Sequence, residues 1–386
     1  MNALPDKAGA LAGVRVLDLS RILGGPLCGQ ILGDHGADVL KVEPPQGDDT
    51  RAWGPPFRDS VASYYFGINR NKRIQFLDLS APEGQQRVRA LMAQADVVLE
   101  NFKPGTMEKW GLGYEQMRQE LPRLIWCRVT GFGADGPLGS LPGYDAAIQA
   151  MAGIMSINGE AGGEPLRVGL PVVDMVTGLN AVIGVLLALH ERSRSGQGQL
   201  VDASLYDSGL SLLHPHAVNW FMGGGLPRPS GNAHPNIYPY DVVHTGGAPI
   251  FLAVGNDRQF KLLCRHVGLD ALAQDERFAT AGQRSVHRAE LKPLLQQAFA
   301  ALDGERLADE LMALGVPAAP VLDVAQALRH PHTAHREMVV KMDGYQGLGA
   351  PVKLSRTPAS YRFAPLTEGQ DFLREQGAQG ESGASE

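Results

Sequence analysis

The feature that most limits what this chain can become is an alternation, repeated through its first half, of short β-branched runs and helix-forming stretches. Residues 14–19 (VRVLDL) read as a strand, and Gly24-Gly25-Pro26 opens a helix to about residue 35, with Pro suited to the first turn. Residues 38–42 and about 73–79 supply a second and a third strand. Ser80-Ala81-Pro82-Glu83 has the form of a capping box and predicts a helix from there to about residue 95. Strands at 96–99 and 124–129, a helix over 144–152, a long helix after Asp174 and a last strand at 199–203 continue the pattern. Repeated βα units pair their strands in parallel and cover both faces of the sheet with helices. The expected class is α/β.

The pattern stops near residue 223. Residues 223–249 are rich in Gly, Pro, Asn and His, as a linker or active-site loop would be. Beyond them, a strand at 250–254, helices from 257 and over 287–302, and a strand at 317–322 predict a smaller α+β domain near 226–325. Two domains also suit a chain of 386 residues. The Gly-, Glu- and Ser-rich tail after Gln370 is expected to fray.

Charge narrows the function classes. A net charge of −6 argues against a nucleic-acid partner and provides no polybasic membrane patch, so an anionic ligand needs a local basic cluster. Three widely spaced cysteines, Cys28, Cys127 and Cys264, make neither a disulfide framework nor a zinc motif, and point to a reducing cytoplasm. Residues 1–13 lack the basic start and apolar run of a secretory signal. The apolar run 179–189 is too short to cross a bilayer and reads as a buried core helix, so no membrane is expected.

Three places carry chemistry. Asp174 stands just before that apolar run, where helix-terminal N–H groups converge. Taken alone it suits a helix N-cap best, as helix-start statistics favour, and it also suits a covalent nucleophile, since a carboxylate can form an acyl-enzyme. Asn69-Arg70-Asn71-Lys72-Arg73 gathers three cations at the entrance to the third strand, and Arg21, Lys41 and Arg51 can join them at strand ends. That cluster is either a phosphate site or a solvated rim. Gly131-Phe132-Gly133-Ala134-Asp135-Gly136 matches a dinucleotide fingerprint, but Pro137 and Pro142 delay the helix and no acidic residue closes the next strand. It reads as a glycine loop near a ligand, without NAD.

Taken together, these motifs resemble the class III CoA-transferases, the family of formyl-CoA and carnitine CoA-transferases and of α-methylacyl-CoA racemase. The resemblance runs from about residue 11 to 363. It rests on residues 36–43 (GADVLKVE), 69–73 (NRNKR), 100–105 (ENFKPG), Gly131-Phe132-Gly133 with Gly136-Pro137, and the Asp174 segment with Gly178. It implies a large Rossmann-like domain built from residues 1–225 and a returning segment 326–386, a small domain at 226–325, and a homodimer whose chains interlock as rings. It also implies that CoA is a substrate, with no tightly bound cofactor, flanked by Arg21, Ile22 and Leu23 and by Lys72, Asn101, Phe102, Pro104, Lys109 and Leu205. Formyl-CoA transferase carries Gln, Arg and Lys where this chain has Leu23, Pro44 and Pro142.

Two chemistries share that family, a transferase and a racemase or epimerase, and a transferase can also act within one substrate as an isomerase. A racemase needs an acid and a base at the α-carbon. In the racemases a His precedes the Asp of the segment Pro142-Gly143-Tyr144-Asp145, and Tyr144 stands there in this chain. A phenol holds its proton too tightly to be a base at neutral pH. The transferase needs only a nucleophilic carboxylate, and Asp174 supplies it. Residues 47–57, Tyr64-Tyr65-Phe66, 231–240 and 255–260 most resemble the glutarate CoA-transferases that use succinyl-CoA. For such a dicarboxylate acceptor, Arg51 is the expected clamp and Arg70 the reserve, because Arg holds a carboxylate bidentately. Tyr144 and His234, the latter in a loop matching the family's lid, are the other expected acceptor contacts.

Overall fold

The structure, a computed structural model, describes residues 9–342 and 344–368. The tail expected to fray and the first residues of the chain lie outside them. The described chain divides into two units, one of the described residues up to 153, of 168–212 and of those from 331 on, the other of residues 154–167 and 213–330. The second unit thus begins at Leu213, earlier than residue 226, and takes in a short piece, Ile154–Arg167, from the first half.

The first unit is built on a six-stranded parallel sheet: β1 (Arg15–Asp18), β2 (Asp38–Glu43), β3 (Lys72–Phe76), β4 (Val97–Glu100), β5 (Ile125–Thr130) and β6 (Leu200–Ser204). Their spatial order is β3-β2-β1-β4-β5-β6. Every residue of β4 and β5 is buried, as both faces of a parallel strand require. One face packs Leu17, Leu40, Val42, Val98 and Trp126 against Val88, Leu91 and Met92 of α2 (Pro82–Met92). The other face carries α1 (Gly24–Asp34) and α4 (Val172–Ser195), which touch backbone to backbone; a Cβ at Gly178 would lie 2.8 Å from the Gly24 carbonyl oxygen. Strand order reverses between β1 and β4, and ligands of open α/β sheets bind outside the carboxyl ends of strands at that point.

Three local expectations are corrected. The helix α2 starts at Pro82 with Ala81 as N-cap, and no side chain caps it; the Ser80 hydroxyl turns away to Asp78 Oδ1 (2.6 Å). Asp174 is not an N-cap either. Pro171 occupies that place, Asp174 lies within the first turn, and Oδ1 of Asp145, at the start of α3 (Asp145–Met151), accepts from the N–H groups of Val173 (2.8 Å) and Asp174 (3.2 Å). Finally, α4 is not a buried core helix. It has 24 residues, long and apolar enough to cross a membrane by length and composition alone, and only a third of its apolar window is buried. Val173, Ala181, Val182, Val185 and Ala188 are buried, while Met175, Leu179, Ile183, Leu186 and Leu187 are exposed.

The second unit holds an antiparallel sheet of β7 (Tyr240–Val243), β8 (Ile250–Ala253) and β9 (Ala318–Pro320), in the order β9-β8-β7. Helices α5 (Asp257–His266), α6 (Arg288–Phe299) and α7 (Gly304–Ala313) cover it through Phe260, Leu263, Leu291, Leu295, Phe299, Leu307 and Leu311, all buried.

Candidate active site

A cavity of about 260 Å³ opens at the switch point between β1 and β4. The turn after β1 brings Arg21, Ile22, Leu23 and Gly24; the turn after β4 brings Asn101, Phe102, Lys103 and Pro104. Gly131, Gly133 and Tyr144 come from the loop after β5, Leu205 from the end of β6, and Asp174 from the first turn of α4. Gly131 and Gly143 meet so closely that a Cβ on the first would lie 2.8 Å from the Cα of the second. The two turns are clasped together: the Asn101 amide accepts from Arg21 N–H (2.8 Å) and donates to the Arg21 carbonyl (2.7 Å). Ile22 sits at φ 70°, a left-handed conformation that a β-branched residue adopts only under constraint.

Asp174 brings a buried carboxyl to the wall of this cavity. Burial pushes its carboxyl up to about 7, and the charge of Asp145 acts in the same direction. A carboxylate stripped of solvent in this way is a stronger nucleophile than one in water. Tyr64 stands close enough that burial and the carboxylates of Asp174 and Asp145 push its phenol up to about 12, so it stays neutral and able to donate. Its ring meets Trp53 edge to face, with centroids 5.3 Å apart. Among the described residues, no group of three or more His, Cys, Asp or Glu is placed to hold a metal ion.

A family model, CoA-transferase family III, matches residues 11–372. The chain belongs to that family. It is 41% identical over 373 residues to the succinate–glutarate CoA-transferase of Agrobacterium fabrum, covering 94% of this chain and 93% of the relative. It is 38% identical over 372 residues to the acetyl-CoA:oxalate CoA-transferase of Acetobacter aceti, covering 96% and 94%. The crystal structure of a CAIB/BAIF family protein from Brucella suis matches with a TM-score of 0.86 at 40% identity, over 96% of this chain and all of that one. The protein is therefore an enzyme that transfers CoA between acids, with CoA thioesters as its substrates.

The structure gathers Arg21, Ile22, Leu23, Asn101, Phe102, Pro104, Tyr144, Leu205 and Asp174 of the expected residues around one cavity of the transferase. It leaves five outside, the reserve Arg70 among them. Arg51 is the clearest correction. Its Nε and Nη2 donate to the two oxygens of Glu43 (2.6 and 3.2 Å), Nη2 also to Tyr65 (2.9 Å), and Nη1 to the Thr367 carbonyl (2.9 Å). A fork so fully used cannot clamp an acceptor carboxylate. Arg70, the reserve, is equally committed to Asp34 (2.6 and 2.8 Å) and the Leu348 carbonyl. Lys72 has no exposed surface and spends its ammonium on Asp18, Asn69 and Pro26, so it cannot touch CoA. Lys109 is exposed on a short helix and does not line the cavity. His234 lies in the second unit, where Nδ1 accepts from the N–H groups of Asn236 (3.1 Å) and Ile237 (3.3 Å) and holds a turn.

Lys41, Arg51, Arg70 and Lys72 of the basic cluster thus form neither a phosphate site nor a solvated rim. Buried cations need buried partners, and here each has one: Lys41 with Asp48, Arg51 with Glu43, Arg70 with Asp34, Lys72 with Asp18. Arg73, on the same strand, reaches Asp38. The cations on the cavity wall are Arg21 and Lys103. Lys103 is missed by the sequence reading although it lies inside the 100–105 motif, because residue type alone does not say which cation faces the ligand. Asp145 is missed for a related reason: its partners are 28 and 29 residues away.

Proposed function

We propose that this transferase moves CoA from succinyl-CoA to a dicarboxylic acid such as glutarate, through a covalent aspartyl-CoA intermediate on Asp174. The observation that carries the reading is a desolvated carboxylate, raised to about 7, on the wall of the switch-point cavity. The Asp174 carboxylate attacks the donor thioester carbonyl, forming a mixed anhydride and expelling CoA thiolate. The thiolate then attacks the aspartyl carbonyl, leaving an aspartyl-CoA thioester and releasing the donor acid. The acceptor carboxylate reverses the two steps, taking CoA and restoring Asp174. Splitting the exchange this way retains the thioester's energy, provided water is kept from the anhydride.

A second cavity, of about 560 Å³, lies outside β1 and β2 and shares Arg21, Phe102 and Lys103 with the first. The acyl end of CoA fits the first and its nucleotide end the second, with Arg21 and Lys103 facing the phosphates between. A dicarboxylate acceptor is supported by the names of the two relatives, whose acids are glutarate and oxalate. A racemase is disfavoured because Tyr144, where its base would stand, offers a phenol in place of an imidazole and is 61% exposed.

The acting unit is an interlocked homodimer in the cytoplasm. Support comes from α4, where Met175, Leu179, Ile183, Leu186 and Leu187 form an exposed apolar row of the kind that marks a protein–protein contact. The test of the chemistry is a panel of dicarboxylates incubated with succinyl-CoA and read by mass spectrometry for new CoA esters. Asp174→Ala is expected to abolish every product, and hydroxylamine to trap a hydroxamate at Asp174 in the unaltered enzyme. Near-normal turnover by Asp174→Ala would refute the covalent shuttle.

A further inference from the structure

Beneath the turn that carries Arg21 to Gly24 lies a set of charged groups that the transfer steps do not use. Asp18, Lys41 and Lys72 have no exposed surface at all. The Lys72 ammonium donates to Asp18 Oδ2 (2.9 Å), Asn69 Oδ1 (3.0 Å) and the Pro26 carbonyl (2.6 Å). Lys41 donates to the Ser20 carbonyl (2.7 Å) and Asp48 Oδ2 (3.0 Å). Asp18 Oδ1 accepts from the Ser20 N–H (3.0 Å) and from its hydroxyl. These bonds grip the backbone on both sides of the turn, at Ser20 before Arg21 and at Pro26 after Gly25, while Asn101 holds Arg21 itself. Even α1 is shaped around them, since a Cβ at Gly29 would lie 2.8 Å from Asp18 Oδ2 and 3.3 Å from Lys72 Cε.

Burying two ammonium groups is a poor route to stability, because apolar side chains of similar volume often do better. The turn supplies another reason to keep them. Ile22 stands at φ 70°, and such a conformation persists only where its surroundings over-determine it. Ile22 and Gly24 both line the cavity, and a Cβ at Gly24 would lie 3.4 Å from the Asp174 carbonyl oxygen and 3.8 Å from its Oδ1.

We propose that Asp18, Lys41 and Lys72 are positioning residues for CoA transfer, holding the turn from Ser20 to Pro26, with Ile22 in its left-handed conformation, so that Ile22 and Gly24 stand against Asp174 and the bound acyl-CoA. The proposal rests on Asp174 being the nucleophile. It has a further consequence for pH. Burial pulls the Lys72 ammonium down to about 8, against the pull of Asp18. The charged neighbours are Asp18 on β1, Lys41 on β2 and Asp48 in the turn after it; the Cys28 thiol on α1 is pushed up and stays neutral. Above pH 8 Lys72 loses its charge, and with it the ionic part of its hold on Asp18.

The test is steady-state kinetics on Lys72→Met combined with Asp18→Asn, which keeps the volume and leaves an amide oxygen facing Ser20. The kcat/KM for the acyl-CoA donor is expected to fall about 10- to 100-fold in a protein still folded by circular dichroism. In the unaltered enzyme kcat/KM should also decline above pH 8, and the double variant should lack that limb. A purely structural pair would lower the melting temperature and move neither readout. An unchanged kcat/KM in the folded variant overturns the proposal; if the variant does not fold, a flat profile between pH 7 and 9.5 in the unaltered enzyme does so. Asp174→Ala run alongside separates the two readings. Loss of transfer there, with none in the double variant, rejects the brace alone; retained transfer there rejects the nucleophile, while the pH limb still decides the brace.

Discussion

As the proposed nucleophile, Asp174 is held in conflict, since it would have to be ionised to attack in a site that resists ionisation. Its raised value of about 7 gives the sign of two effects. Activity first: only the ionised form attacks, so kcat/KM for the donor should fall about tenfold for each unit below pH 7, measured as initial rates across pH 5–8. Stability second: between the ordinary carboxyl value and 7 the folded state binds a proton that the unfolded state has released. Stability is therefore lost as pH rises through that window. Asp174→Asn removes the titration, so denaturant unfolding should show it more stable than the unaltered protein by up to about 4 kcal/mol at pH 8, and by less at pH 5. No pH-dependent difference would mean that the carboxyl is not desolvated in solution. The residue that keeps it so placed is Asp145, whose one oxygen satisfies two N–H groups at the start of α4.

At the scale of elements, the site is an assembly of strand ends and two helix starts, and the contact of α1 with α4 fixes one against the other. Gly178→Ala would put a methyl 2.8 Å from the Gly24 carbonyl oxygen, a backbone atom that cannot rotate away. We expect a destabilisation of about 1–3 kcal/mol and a loss of kcat larger than that stability change would cause, because Asp174 lies one turn earlier on the same helix. Thermal melts and kinetics on the same preparation check it; full activity would show that α4 can shift without moving its first turn. These elements were legible in the sequence because β-branched runs and helix signals are local: β2, β4 and β5 fall within a residue or two of expectation. The cavity residues after β1 and β4 were legible by resemblance. The fate of the cations was not. Lys72 meets Asp18 across 54 residues and Arg70 meets Asp34 across 36, so nothing in the 69–73 run tells a buried partner of carboxylates from a phosphate ligand. The cap at α4 failed in the same way, since Asp145 comes from another helix.

For the whole molecule, the row of exposed apolar residues on α4 sets an expectation about assembly. If chains interlock, light scattering should give the mass of two chains at every concentration, because linked rings do not separate by mass action. A merely apposed pair would dissociate on dilution, and a monomer seen at low concentration would sink the interlocked arrangement. A charged residue in the middle of the row, as in Ile183→Glu, should reduce the yield of folded dimer while leaving the sheet's own core untouched.

The bonds of Arg51 and Tyr65 to the far end of the chain set a timetable for synthesis. Arg51 donates to the Thr367 carbonyl across 316 residues, Tyr65 to Leu366 across 301, and Asn71 to Ser360 across 289. A ribosome adding about 5–20 residues per second reaches those carbonyls roughly a quarter of a minute to a minute after Arg51 has emerged. Throughout that interval the strands can pair, but the polar layer beside β2 and β3 is short of its last acceptors. The nascent amino-terminal half is thus a waiting form, and truncation before residue 366 should leave it waiting for good.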